Sequence, residues 1–370
     1  MKKYFSPGRV NLIGEHLDYN GGLVLPAAIT LGVTATFIPR SDNKIILRSS
    51  THPFSKEISI DDEIEFDAKN DWTNYPLGII AQLKKENHSI PACEIIFESN
   101  LPEGSGLSSS AAVEVLTAFA LLSQNESKIN LVWLANFCKQ VENDFIGVKC
   151  GIMDQYSVAL GKKDNALLLD CNKIHHEYIP LELQDYRLVI MNSRKPRSLI
   201  HSKYNERKQE CEEALMQIRN TKSEIRNLCE AEMIWLDILS DEVLKKRARH
   251  VISEQLRVKE SVRVLQMNDL STFGRLMNAS HASLKNDYEV TGVELDTLAE
   301  TAQQIKGCLG ARMTGAGFGG CAIAIVHYTA IEELKNKVSE KYFSVIGLNC
   351  EIYETKIGDG VTQITNQPIN

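Results

Sequence analysis

The sequence predicts an α+β protein of two domains. Three observations carry that expectation. A chain of 370 residues exceeds one average domain. Its first half alternates β-rich runs with apolar helical segments, while its second half is helix-rich and closed by strands. Between them, near residues 172–185, lies a polar connection carrying His175, His176 and Pro180. The expected division is 1–178 and 179–370.

The elements follow in chain order. The first 60 residues read as loop and strand, with β-rich runs at Leu23 to Leu25 and Gly32 to Ile38, and weak alternation from Lys44 to Arg48. Trp72 to Leu83 has helical spacing. Ala92 to Ser99 reads as a strand ending at a glycine-rich turn, Pro102 to Gly106. Ala111 to Leu122, dense in Ala, Leu and Val, has helix length and serines before it as N-cap candidates. Asn130 to Glu142 is a further helix. Ala166 to Leu169 and Leu188 to Met191 read as buried strands. Arg197 to Asn220 is a long charged amphipathic helix, and three or more helical stretches follow to about Ile305. Strand Cys321 to Val326, helix Ala330 to Tyr342 and strand Cys350 to Tyr353 close the chain.

Composition narrows the function. Forty-one basic and 48 acidic residues leave a formal charge of −7, which excludes a global basic field for nucleic acid. Any anionic ligand must be held by local groups. Nine cysteines form no C-x-x-C pair, which argues against a disulfide framework or zinc ribbon and fits a reducing compartment. No apolar run reaches membrane-spanning length, and Arg9 and Glu15 interrupt any signal-peptide core. The cytoplasm is the expected location, with no membrane or nucleic-acid partner.

Three glycine-rich clusters carry the chemistry. Ser6 to Gly22 packs Arg9, Glu15, His16 and Asp18 among glycines. Such groups on permissive backbone suit recognition of several hydroxyls, although a solvated turn-rich loop reads the same way. Leu101 to Ala112 places two glycines and three serines directly before a helix. Curled backbone, unpaired helix-start N–H groups and the positive dipole end make an anion site there. The serine hydroxyls add phosphate donors or a Mg²⁺ ligand; the alternative is an ordinary capped helix. Met313 to Gly320 matches G-x-G-x-x-G, but a strand follows it, so a loop pressed against a ligand or another loop fits better than a dinucleotide fingerprint. P-loop, protein-kinase and H-E-x-x-H signatures are absent. The pair His175-His176 reads as surface.

Together the three clusters resemble the motifs of the GHMP small-molecule kinases, over residues 6–327. The first motif, Gly8 to Tyr19, resembles the signature of the galactokinase branch of that family. Asp71 to Tyr75, Gly151 to Gln155, and Asn192-Ser193 with Tyr204 to Arg207 also resemble galactokinase segments. The resemblance implies a ribosomal-S5-domain-2-like N-terminal domain and a ferredoxin-like C-terminal domain, with the active site in the cleft between them. It implies ATP-dependent phosphorylation of the C1 hydroxyl of D-galactose, with Mg²⁺, by a monomer. Kinases for N-acetylgalactosamine or arabinose and a non-catalytic galactose sensor are the alternatives. Asp154 would act as general base or positioner beside Arg9. Glu15, His16, Asp18, Gly151 and Tyr204 would bind the sugar. Gly104, Ser105, Gly106, Leu107, Ser108, Ser109 and Ser110 would wrap the ATP phosphates, Ser110 and Glu142 would hold Mg²⁺, and Trp72 would stack near the adenine. Read without the resemblance, Trp72 is equally a core residue and Asp154 a capping aspartate. The first motif begins at Ser6, as in shorter members, and the basic stretch Arg194 to Arg197 precedes Tyr204.

Overall fold

The computed structural model describes residues 1–102, 104–125, 128–195 and 200–365. Its strands are β1 (Lys2–Asn11), β2 (Leu23–Val24), β3 (Pro26–Pro39), β4 (Lys44–Ser49), β5 (Lys56–Ser59), β6 (Cys93–Ser99), β7 (Asn165–Asp170), β8 (His175–Pro180), β9 (Tyr186–Asn192), β10 (Cys308–Thr314), β11 (Cys321–His327), β12 (Glu351–Thr355) and β13 (Thr362–Ile364). The helices are α1 (Asn74–Lys85), α2 (Ser109–Leu122), α3 (Leu131–Val141), α4 (Met153–Leu160), α5 (Ile200–Arg219), α6 (Glu242–Gln266), α7 (Leu270–Ser283), α8 (Gly292–Gln303) and α9 (Ile331–Ile346). The α+β expectation holds. Among the described residues no helix is long and apolar enough to cross a membrane.

A six-stranded sheet runs in the order β13-β1-β3-β6-β4-β5, antiparallel except where β4 meets β6. Helices α1 to α4 pack beside it, with α2 against β1 and β3. A second antiparallel sheet, β10-β11-β9-β12, is covered by α7 and α8. Its central strand β11, Cys-Ala-Ile-Ala-Ile-Val-His, is buried on both faces through Val326, which explains why its sequence is an uninterrupted apolar run.

Three segments depart from the sequence reading. Ser6-Pro7-Gly8 looks like a turn, yet it lies inside β1. Pro7 pairs opposite Gly32, and a register shift between Pro7 and Arg9 marks a bulge. A Cβ at Gly8 would stand 2.6 Å from Leu101 Cδ2 and 2.8 Å from the Leu107 carbonyl oxygen. Only glycine lets this strand touch the second cluster. His175 to Pro180 looks like a polar connection but pairs with β7 as an edge strand, so the expected 178/179 division falls inside β8. The C-terminal segment returns to the first sheet as β13, paired with β1. Arg197, the expected start of the long helix, lies outside the described residues; the helix is described from Ile200.

Candidate active site

The phosphate side of the site is made by the turn into α2. Gly104, Gly106 and Ser108 all adopt left-handed backbone, at φ 63°, 72° and 63°. Left-handed residues at every second position curl the chain into a concavity, and the first turn of α2 leaves N–H groups without helical partners. Ser108 Oγ is buried and has no hydrogen-bond partner among the described residues. Gly104, Gly106, Ser108, Ser109 and Ser110 line a cavity of about 900 Å³. Ser105 and Leu107 are buried and hold the turn from behind; the Leu107 carbonyl accepts the Arg9 N–H at 3.1 Å.

Where this turn meets β1 stands an ion pair. Arg9 Nε and Nη2 each lie 2.9 Å from Asp154 Oδ1, and Nη1 donates to the Gly106 carbonyl at 2.7 Å. The bulge in β1 sets Arg9 between the phosphate turn and α4, whose first turn carries Asp154. The arginine is buried, while the aspartate side chain keeps 30% of its surface exposed toward the cavity it lines. A charge-assisted pair of this kind fixes both groups for a reacting atom.

The sugar side consists of side chains, Glu15 and His16 buried, Asp18 and Tyr204 half-buried. Glu15 accepts from the Asn11 amide at 2.9 Å and from the Gly315 N–H at 2.7 Å, so the third glycine cluster presses its backbone against the first. Burial raises the Glu15 pKa, opposed by Arg312 3.6 Å away. Asp18 is pushed up to about 7, first by burial and then by Asp154 and Glu15. A Cβ at Gly151 would collide with Asp18 Oδ2, so glycine is required there by close approach. His16 Nδ1 lies 2.8 Å from the Tyr19 hydroxyl, which lies 2.8 Å from the Tyr288 hydroxyl. Burial, His250 and Arg207 hold His16 well below its ordinary value, hence neutral. Tyr204 packs its ring 5.9 Å from His16 and 5.3 Å from Tyr19.

A third group of oxygens flanks the phosphate turn. Glu142 begins a π-helical turn after α3, and its carboxylate faces the Ser110 hydroxyl. The Gln155 amide and, at 3.4 Å, the Cys150 thiol also contact Glu142 Oε2. Beneath them Glu114 is fully buried, one turn along α2 from Ser110. Neither of its carboxyl oxygens has a hydrogen-bond partner among the described residues. Burial and then Glu142 raise its pKa well above the usual range. Ser110 and Glu142 supply hard oxygen donors, the chemistry Mg²⁺ prefers.

Of the expected site residues, Arg9, Glu15, His16, Asp18, Gly104, Gly106, Ser108, Ser109, Ser110, Glu142, Gly151, Asp154 and Tyr204 all line this one cavity. Trp72 does not line it. Its indole N–H donates to the Phe54 carbonyl at 3.1 Å, and its ring packs edge-on to Phe97 at 5.5 Å. Arg194 and Lys195 also stay out of the lining, Arg194 reaching Glu351 and Lys195 reaching Glu294; Pro196 and Arg197 lie outside the described residues. Sequence reasoning passed over Arg312, Glu254 and Glu114. Glu254 accepts the Gly14 N–H at 2.9 Å and the Ser280 hydroxyl at 2.6 Å, anchoring the first motif to α6. Arg312, two residues before the third cluster's threonine, offered a faint signal; Glu254 and Glu114 sit in helical periods and offered none.

Comparison with known proteins matches this geometry. Residues 3–39 match the galactokinase galactose-binding signature, 74–162 the GHMP kinases N terminal domain and 258–344 the GHMP kinases C terminal domain. The galactokinase of Staphylococcus carnosus is 47% identical over 366 residues, 97% of this chain and 94% of its own. The chain belongs to the galactokinase family of GHMP kinases. Another member, from Clostridium acetobutylicum, is likewise 47% identical and covers 98% of this chain and 94% of its own. The Lactococcus lactis galactokinase, solved in complex with galactose, superposes with a TM-score of 0.91 at 44% identity, covering 98% of this chain and 95% of that one. A mevalonate kinase with TM-score 0.71 and 21% identity shares the fold alone. As in that wider family, ATP is a substrate.

Proposed function

We propose that the protein transfers the γ-phosphoryl group of ATP to the C1 hydroxyl of D-galactose, giving α-D-galactose 1-phosphate. The observation that carries this reading is the Arg9–Asp154 pair, set where the hydroxyl-binding cluster meets the phosphate turn. Glu15, His16, Asp18, Gly151 and Tyr204 form the sugar pocket. Neutral His16 and the partly buried carboxylates present fixed donors and acceptors to hydroxyls, and Tyr204 closes one wall with its ring. Asp154 accepts the hydrogen bond of the C1 hydroxyl and orients its oxygen for in-line attack. Phosphoryl transfer passes through a loose transition state, so positioning outweighs early proton removal. Arg9 stays beside the reacting oxygens and offsets the charge gathered there.

The turn from Gly104 to Ser110 takes the triphosphate, with Ser105 and Leu107 shaping it from behind. Ser110 and Glu142 would hold Mg²⁺, which when bound neutralises phosphate charge. Trp72 is assigned a place near the adenine, with its ring packed on Phe97. The protein acts in the cytoplasm as a monomer in this reading, and its two units divide near residues 172–185; light scattering in solution tests the oligomeric state. The function itself is tested by ADP release across a sugar panel with Mg²⁺. Galactose should give the highest turnover. Good turnover of N-acetylgalactosamine or arabinose with none of galactose would overturn the assignment.

A further inference from the structure

The cleft carries a charge imbalance. Among the described residues lining it, Glu15, Asp18, Glu142 and Asp154 are acidic, and Arg9 and Lys149 are basic. Arg9 is already engaged, with two nitrogens on Asp154 and a third on the Gly106 carbonyl. Lys149 has no hydrogen bond or ion pair with any described residue. It is the cleft's one uncommitted cation among the described residues, in a protein of net charge −7 whose substrate is a polyanion.

Its placement is built. The Val148 N–H donates to the Glu142 carbonyl at 3.1 Å. The Cys150 N–H donates to Asn143 Oδ1 at 3.1 Å and to the Val148 carbonyl at 2.9 Å. The main chain on both sides of Lys149 is therefore tied to the turn that carries Glu142. Gly147, at φ 84°, lets the chain leave that turn sharply, and a Cβ there would meet nothing within 4 Å. The lysine-bearing loop and the Gly104 to Ser110 turn line the same cavity. An ammonium on a flexible stem is a mobile point charge suited to phosphate oxygens.

We propose that Lys149 is a nucleotide-binding residue whose ammonium contacts the triphosphate of ATP held by the Gly104 to Ser110 turn. This rests on the kinase reading above. It assigns a side-chain cation to a site otherwise made of main-chain N–H groups, serine hydroxyls and the metal. The contact is charge-assisted, so its loss should weaken nucleotide binding by ~10-fold. It should also lower the salt dependence of that binding, because one screened charge pair disappears.

The test is calorimetric titration of wild type, Lys149→Met and Lys149→Arg with a non-hydrolysable ATP analogue and Mg²⁺, beside steady-state kinetics with galactose. The expected result is a nucleotide Kd raised ~10-fold in Lys149→Met and restored to within ~3-fold by Lys149→Arg. KM for ATP should follow Kd, and KM for galactose should stay unchanged. An unaltered nucleotide Kd in Lys149→Met, or an effect confined to the KM of galactose, overturns the proposal. The titration needs no sugar. If wild type turned over no galactose, the kinase reading would fall while the titration still judged Lys149.

Discussion

On the phosphate side of the cleft, recognition is built from main chain: two glycines and a serine in left-handed backbone, followed by the open first turn of α2. On the sugar side it is built from side chains set against residues distant in sequence: Glu15 against Arg312 and Gly315, His16 against Tyr288, and Asp18 against Gly151. The first kind of site is local. A few consecutive residues fold it, and any anion of suitable charge fits it. The second kind is global, since it needs α6, the β10–β11 connection and α4 all in place. A phosphate can be held by repeated N–H groups, whereas stereospecific hydroxyls demand individually aimed acceptors. Arg9 and Asp154 stand where the two sides meet.

Four substitutions test this contrast, beginning with the junction. Asp154→Ala should cut turnover by ~10³-fold while the nucleotide Kd stays within ~3-fold, because the residue acts on the hydroxyl and not on the phosphate turn. Single-turnover kinetics and nucleotide titration check both halves; an equal loss in each would erase the distinction between the sides. Next comes Gly151→Ala, whose added methyl would occupy the space of Asp18 Oδ2. It should raise the KM for galactose by ~10-fold or more with the nucleotide Kd unchanged, the cost of a small misplacement of a positioning group.

The third concerns pH. The folded-state pKa of Asp18, about 7, lies above its ordinary value of 3.8. The native state therefore binds this proton more tightly than the unfolded chain. The contribution of Asp18 to stability is therefore fullest below about pH 4 and is lost as pH rises through 7. Asp18→Asn should flatten the fall in melting temperature between pH 5 and pH 7; an unchanged slope would remove Asp18 as its source. The smallest effect belongs to Gly104→Ala. A Cβ there meets nothing within 4 Å, so only the left-handed backbone is penalised, by about 1 kcal/mol. The melting temperature should fall by about 2 °C. A collapse of the fold would show that the phosphate turn is held by packing instead of conformation.

The same contrast explains what the sequence disclosed. The phosphate turn was readable because its glycines, serines and helix start are consecutive and each has a local physical reason. Arg9, Glu15, His16 and Asp18 were readable as a polar cluster, and the family resemblance supplied roles that spacing alone left open. The strand identity of Ser6 to Arg9 was hidden, because Pro7-Gly8 signals a turn while a bulge and contact with Leu101 and Leu107 stabilise a strand. β8 was hidden for the opposite reason: as an edge strand it buries only Ile179 deeply and keeps polar residues outside. Glu114 and Glu254 look like ordinary polar positions in helices, and only the three-dimensional structure shows both fully buried. Trp72 shows how far a tryptophan's place depends on packing, for its indole N–H is used by Phe54 and its ring by Phe97.

The central claim is that Arg9 and Asp154 join a sugar pocket to a phosphate turn so that one hydroxyl receives the phosphoryl group. Phosphorus NMR of the product formed from D-galactose, ATP and Mg²⁺ tests it most directly. The account predicts one phosphomonoester, at C1 in the α configuration, and its loss in Asp154→Ala. Phosphate on another carbon, or ADP release yielding only inorganic phosphate, would contradict it.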